Sequence, residues 1–349
     1  MKMQKKCRQS NMELLRILAM FLVLVVHANF KSIGIPTEWD FVNNFTLSFC
    51  RVYVESVAIV CVNVFVLISG WFGINPNFKR FCELLFQILF ISATVNIILV
   101  VFGISETYNV KDWIKSLYSD SYWFIPSYLI LYTFTPVLNA FAKNSSKKDF
   151  LVLLLSFICF QTIFSFILNI SWFEMGYSPI SFMGLYLIAR YLRIWPNRLT
   201  CQVMRFYLFG FIGLSLILTI IAILVLMYGI GRVWMWYYYT SPIVILESLF
   251  LLLLFSKIKL SSKLVNWVAI SSFSVYLVHS CSVFFNSIYI SNISRWFEVK
   301  PTIAFFIYSL LFMSFVFGIS IILDKLRIIV WTLLCTWMIK VGSKSLLLK

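Results

Sequence analysis

Long apolar runs fill this chain from end to end, separated by short clusters that carry most of its polar and charged positions. A run of about 20 apolar residues spans the hydrocarbon core of a bilayer as a helix. Short segments of strict apolar–polar alternation, the mark of a membrane β-barrel, are absent from the sequence. The pattern predicts an all-α membrane protein, a polytopic bundle of about ten transmembrane helices with both termini cytoplasmic. The first helix is expected over residues 12–33, the second over 46–74 and the third over 81–104. The fourth starts near Tyr122 and ends before Ala142; the fifth and sixth cover 150–170 and 178–196. The seventh to tenth cover 205–229, 240–256, 264–290 and 301–323. The tail, residues 324–349, alternates basic and apolar positions and reads as an interfacial helix. Since no polar stretch exceeds about 20 residues, residues 1–349 are read as one membrane domain with its helical core at 12–323.

Composition agrees: 61% of residues are hydrophobic, 12% are charged and mean hydropathy is +0.92, far from a soluble domain. A net charge of +16 could suggest nucleic acid, but the predicted topology places 22 of the 29 Lys and Arg inside. That bias is the positive-inside rule, and no nucleic-acid partner is expected. The eight Cys lie scattered without paired spacing, which reads as reduced structural thiols and leaves no metal site. Basic residues before the first apolar run resemble a signal peptide, but Glu13 and Arg16 inside that run favour a retained helix.

Candidate chemistry concentrates in the first helix. Arg16 and His27 are eleven positions apart, so they share a helix face to within about 20° and stand roughly 16 Å apart along the axis. Glu13, three residues before Arg16, joins the stripe. Ionisable groups are costly in lipid, so three on one face point to function over a packing histidine and an interfacial ion pair. A neutral imidazole can take a proton, and the guanidinium can hold a phosphate or carbonyl oxygen.

Four segments, in order, resemble the acyltransferase 3 family of bacterial membrane acyltransferases. They are the Arg-x10-His arrangement with Glu13; Val64-Phe-Val-Leu-Ile-Ser-Gly-Trp-Phe72; the aromatic stretch Tyr122–Asn139 ending in Thr-Pro-Val-Leu-Asn; and Ser272-Phe-Ser-Val-Tyr-Leu-Val-His279. The resemblance implies an integral-membrane O-acyltransferase of ten helices in the bacterial inner membrane. Its donor would be acyl-CoA, usually acetyl-CoA, with no permanently bound cofactor. Its acceptor would be a cell-surface polysaccharide or lipid-linked saccharide, modified alone or beside polysaccharide-synthesis proteins. It also implies that His27 and Arg16 are essential, with Lys79 and Arg80 beside the CoA phosphates. Here the chain departs from the family, carrying an adjacent Lys-Arg where two spaced arginines are usual, and Leu-Leu before Arg16 where Gly-Leu is common.

Further candidates lie outside the first helix. His279 and Glu247 lie within predicted spans, and Tyr122 and Trp123 could offer rings to a sugar. All four are held as candidate substrate contacts, against readings as packing residues or an interfacial aromatic belt. Arg51 and Glu55 are placed to pair at i,i+4, and Asn63 to bond a neighbouring helix. The rival reading is a transporter or flippase of a saccharide precursor. Such proteins favour inverted repeats and broken helices, and neither is read here. A member that only scaffolds a synthesis complex is the third possibility.

Overall fold

The computed structural model describes residues 8–105, 110–116 and 122–346, which form helices and connecting turns with no strand among them. α1 (Ser10–Val26) runs directly into a π-helical turn, His27–Lys31. After the short α2 (Glu38–Asn43) come α3 (Phe45–Ala58) and α4 (Cys61–Phe72), two halves of one span interrupted at Ile59–Val60. α5 (Phe78–Val101) and the short α6 (Val110–Ser116) follow. α7 (Phe124–Asn144) and α8 (Lys147–Phe160) lead to α9 (Pro179–Ile194). α10 (Met204–Tyr228), α11 (Val233–Trp236) and α12 (Pro242–Lys257) come next. The chain then breaks repeatedly, through α13 (Lys263–Ala269), α14 (Phe273–His279), α15 (Ser282–Phe284) and α16 (Ser291–Val299), before α17 (Thr302–Leu346).

Seven of these helices are long and apolar enough to cross a membrane, and the bent pair Phe273–His279 and Ser282–Val299 makes an eighth if it is one span. This is a multi-pass membrane protein. α9 and α12, read from the sequence as spans, have only 16 residues each and lie largely buried. α4 is the centre of the bundle: nearly all its residues are buried, and it packs on α9, α1 and α12. Gly70 allows the closest approach, because a Cβ there would stand 2.9 Å from both the Ala189 Cβ and the Tyr186 Cα. Side-chain caps set several helix starts: Asn77, Ser146, Ser178 and Ser262 each accept from a backbone N–H of the following turn.

Two sequence expectations need correction. The ninth span is not a continuous helix over 264–290 but is bent by 67° at the His279–Ser282 break. Hydroxyls explain how the breaks persist in an apolar setting. Ser272 Oγ donates to Ala269 O at 2.9 Å, and Ser274 Oγ lies 2.7 Å from Ser320 O of α17. The tail from 324 is no separate element, for α17 passes residue 323 unbroken to Leu346. Asp324 and Arg327, buried against α5, hold that continuation in place.

Candidate active site

The two histidines of the chain meet. His27 Nδ1 lies 2.9 Å from His279 Nε2, across 252 positions of sequence. Regular α-geometry carries His27 to the end of α1, and the π-turn then swings Asn29 and Phe30 towards α3. Asn29 Nδ2 donates to Arg51 O at 2.8 Å and to Glu55 Oε2 at 2.9 Å. On the other side, His279 is the last residue of α14, held where its helix breaks.

Hydrogen bonding fixes the protons of this pair. His279 Nδ1 is 2.6 Å from the carbonyl oxygen of Val275, which can only accept, so Nδ1 carries the hydrogen and Nε2 the lone pair. His27 must then donate from Nδ1, which leaves a lone pair on its Nε2. His279 is fully buried whereas His27 is half-buried, so His27 is the more exposed of the pair.

Arg16 stands one and a half turns into α1 and forms an ion pair with the nearly buried Glu13, which Arg8 also approaches at 3.6 Å. These residues mark a basic end of the bundle, where α1 and α5 begin and α4 and α9 end. Tyr128 of α7 has its hydroxyl 3.2 Å from Ser69 Oγ. From Tyr128 a ladder of ring contacts climbs to the imidazoles: Phe124 at 5.4 Å, Tyr276 at 5.7 Å from Phe124, and His279 at 6.0 Å from Tyr276. The structure thus joins Glu13 to Arg16 and His27 to His279, and an aromatic column separates the two polar levels.

A model of an acyltransferase domain family matches residues 9–325. The chain belongs to the acyltransferase 3 family. No curated protein and no solved structure matches it. Within this membrane acyltransferase, the residues of the family-like segments have visible jobs. Ser69 and Gly70 fasten α4 to α7 and α9. Asn139 donates to Ile74 O at 2.7 Å and accepts from Tyr186 Oη at 2.7 Å, which clamps the turn after α4.

The other sequence candidates are dispersed. Tyr122 is buried, and its hydroxyl donates to Leu277 O at 2.8 Å, bracing α14. Trp123 packs against Tyr177, ring centroids 4.3 Å apart, in an aromatic cluster with Phe182 and Tyr239. Glu247 is sealed between α10 and α12, bonded to Ser215 and away from the histidines. Lys79 and Arg80 lie exposed on the first turn of α5, where Arg80 Nη1 reaches Asn75 O at 3.4 Å. Arg51 and Glu55 form no ion pair; Asn29 bridges them, taking Arg51 Nε at 3.3 Å. Asn63 bonds Tyr239 O at 3.0 Å, the interhelical contact expected of a buried amide. Sequence reasoning passed over Arg190, which borders the same turn as Asn139 and whose Nε is buried without a partner among the described residues. Among those residues no group of three His, Cys, Asp or Glu is placed to hold a metal ion.

Proposed function

We propose that this acyltransferase moves an acyl group, acetyl in the simplest case, from acyl-CoA to a hydroxyl of a cell-surface polysaccharide or lipid-linked saccharide, in the bacterial inner membrane with its basic end cytoplasmic. The observation that carries the reading is the His27–His279 contact, anchored on the Val275 carbonyl. It leaves a lone pair on His27 Nε2, on the more exposed of the two imidazoles. His27 Nε2 takes the proton of the acceptor hydroxyl as its oxygen attacks the thioester carbonyl carbon. His279 Nε2 keeps accepting from Nδ1 and supports the imidazolium. The tetrahedral intermediate then collapses with cleavage of the carbon–sulfur bond. The thiolate leaves and recovers the proton from His27, giving the ester and free CoA. Arg16, about 16 Å along α1, is placed to hold a polar part of the donor arm, with Glu13 fixing its guanidinium.

Purified protein incubated with radiolabelled acetyl-CoA and glycan extract should transfer label to glycan. His27→Ala should retain CoA binding and lose at least about 100-fold in transfer. The broken helix at His279–Ser282 also favours a second reading, because transporters place such breaks at their substrate sites. Precursor flipping by reconstituted protein without ester formation would establish that reading and end the first.

A further inference from the structure

At the basic end, the last turn of α9 presents Arg190 and Arg193 on one helix side, one turn apart. Arg190 lies against the Gly73 backbone: an ideal Cβ at that glycine would stand 2.9 Å from Arg190 Nη1. Arg193 extends over the Trp71 ring, with its Cζ 5.0 Å from the centroid. No described carboxylate comes within ion-pair distance of either arginine. Arg190 Nε is buried and unpartnered among the described residues.

The setting is rigid. Gly73 closes α4 with φ +73, a conformation that suits glycine, and its N–H bonds Ser69 O and Gly70 O. Tyr186 Oη accepts from Ile74 N at 3.0 Å, and Tyr132 Oη accepts from Asn77 N at 3.0 Å. These tyrosines also link the turn inward. Tyr186 Oη donates to Asn139 Oδ1 at 2.7 Å. A guanidinium with its Nε buried and open, backed by a second arginine and beside a clamped turn, suits a phosphate oxygen.

We infer that Arg190 and Arg193 form an anion seat for a phosphate of the acyl donor. The inference rests on acyl-CoA being the donor. A phosphate can also come from an anionic lipid headgroup, and the two sources separate experimentally.

Protein in nanodiscs of zwitterionic lipid is titrated with CoA, dephospho-CoA and pantetheine. Wild type is expected to bind CoA most tightly. Arg190→Gln and Arg193→Gln should each weaken CoA by about tenfold or more, the loss of one charge-assisted contact. Arg190→Lys should recover only part, and the pantetheine Kd should not change. Arg193 is exposed, so Arg193→Gln tests the seat even if the Arg190 variant folds poorly. Wild-type CoA affinity in both glutamine variants would overturn the inference, and a loss confined to Lys79→Gln/Arg80→Gln would relocate the seat to α5. If, in a second set of nanodiscs containing anionic lipid, the arginine variants lose lipid binding but still bind CoA normally, the occupant is a headgroup and the inference is wrong. Absence of CoA binding by wild type would instead overturn the donor reading itself.

Discussion

Histidine as a base depends on which nitrogen holds its hydrogen, and here a backbone carbonyl settles that at one remove. Val275 O fixes His279, and His279 fixes His27. Replacing His279 by Phe removes the acceptor while keeping a ring in the cavity; kcat should fall by about 10- to 100-fold, as for other groups that orient a catalytic base. His279→Gln retains an acceptor oxygen and should recover part of the rate, with an unchanged Kd for CoA in both variants. Equal loss in the two variants would mean that His279 serves packing alone. The sequence already marks Glu13, Arg16 and His27, because helical phase is a local property. The partnership with His279 is not legible there, since no spacing rule links positions 252 apart. Arg190 escaped notice for a related reason: a cation near a helix end looks like a topology signal until its surroundings are known.

Among the elements, the α4–α9 crossing decides how the basic end is built. Gly70→Ala would drive a methyl into Tyr186 and Ala189, and the helices must part to admit it. The expected cost is about 1–3 kcal/mol, read as a lower unfolding temperature of the purified protein. CoA affinity should fall with it, because Arg190 follows Ala189 on α9. Normal stability of Gly70→Ala would show that the crossing is looser than its geometry. Apolar periodicity finds the spans of this fold well, for example Met204–Tyr228 against the expected 205–229. It does not find the interruptions at Ile59–Val60 and His279–Ser282, or the π-turn at His27. Those depend on backbone carbonyls being satisfied by distant partners, such as the Tyr122 hydroxyl at Leu277 O and the Tyr289 hydroxyl at Leu24 O. Hydropathy averages carry no record of such partners.

For the whole molecule, one buried polar knot ties the last helix to α5. Asp324 Oδ1 accepts from Gln87 Nε2 at 2.8 Å and from Arg327 Nη2 at 2.8 Å, and Arg327 Nη1 reaches Glu83 at 3.5 Å. Asp324→Ala leaves a buried guanidinium without its main partner, so a loss of about 3–5 kcal/mol is expected in unfolding experiments. Asp324→Leu with Arg327→Leu removes both charges and should restore most of that stability. If the double variant is as weak as the single one, the knot works through Gln87 and Glu83 instead. The tail looked detachable in the sequence because basic residues break its apolar run. In three dimensions Lys325 and Arg327 are partnered, and the helix continues to Leu346.

The meeting of His27 and His279 also has a practical consequence. With only two histidines in 349 residues, every imidazole signal from this protein originates at that contact. Nitrogen-15 labelling of histidine alone would give a spectrum of four ring nitrogens, two of them facing each other, free of background from the rest of a large membrane assembly. Tautomer, proton position and their response to donor or acceptor could then be followed directly, in lipid, without altering a single residue.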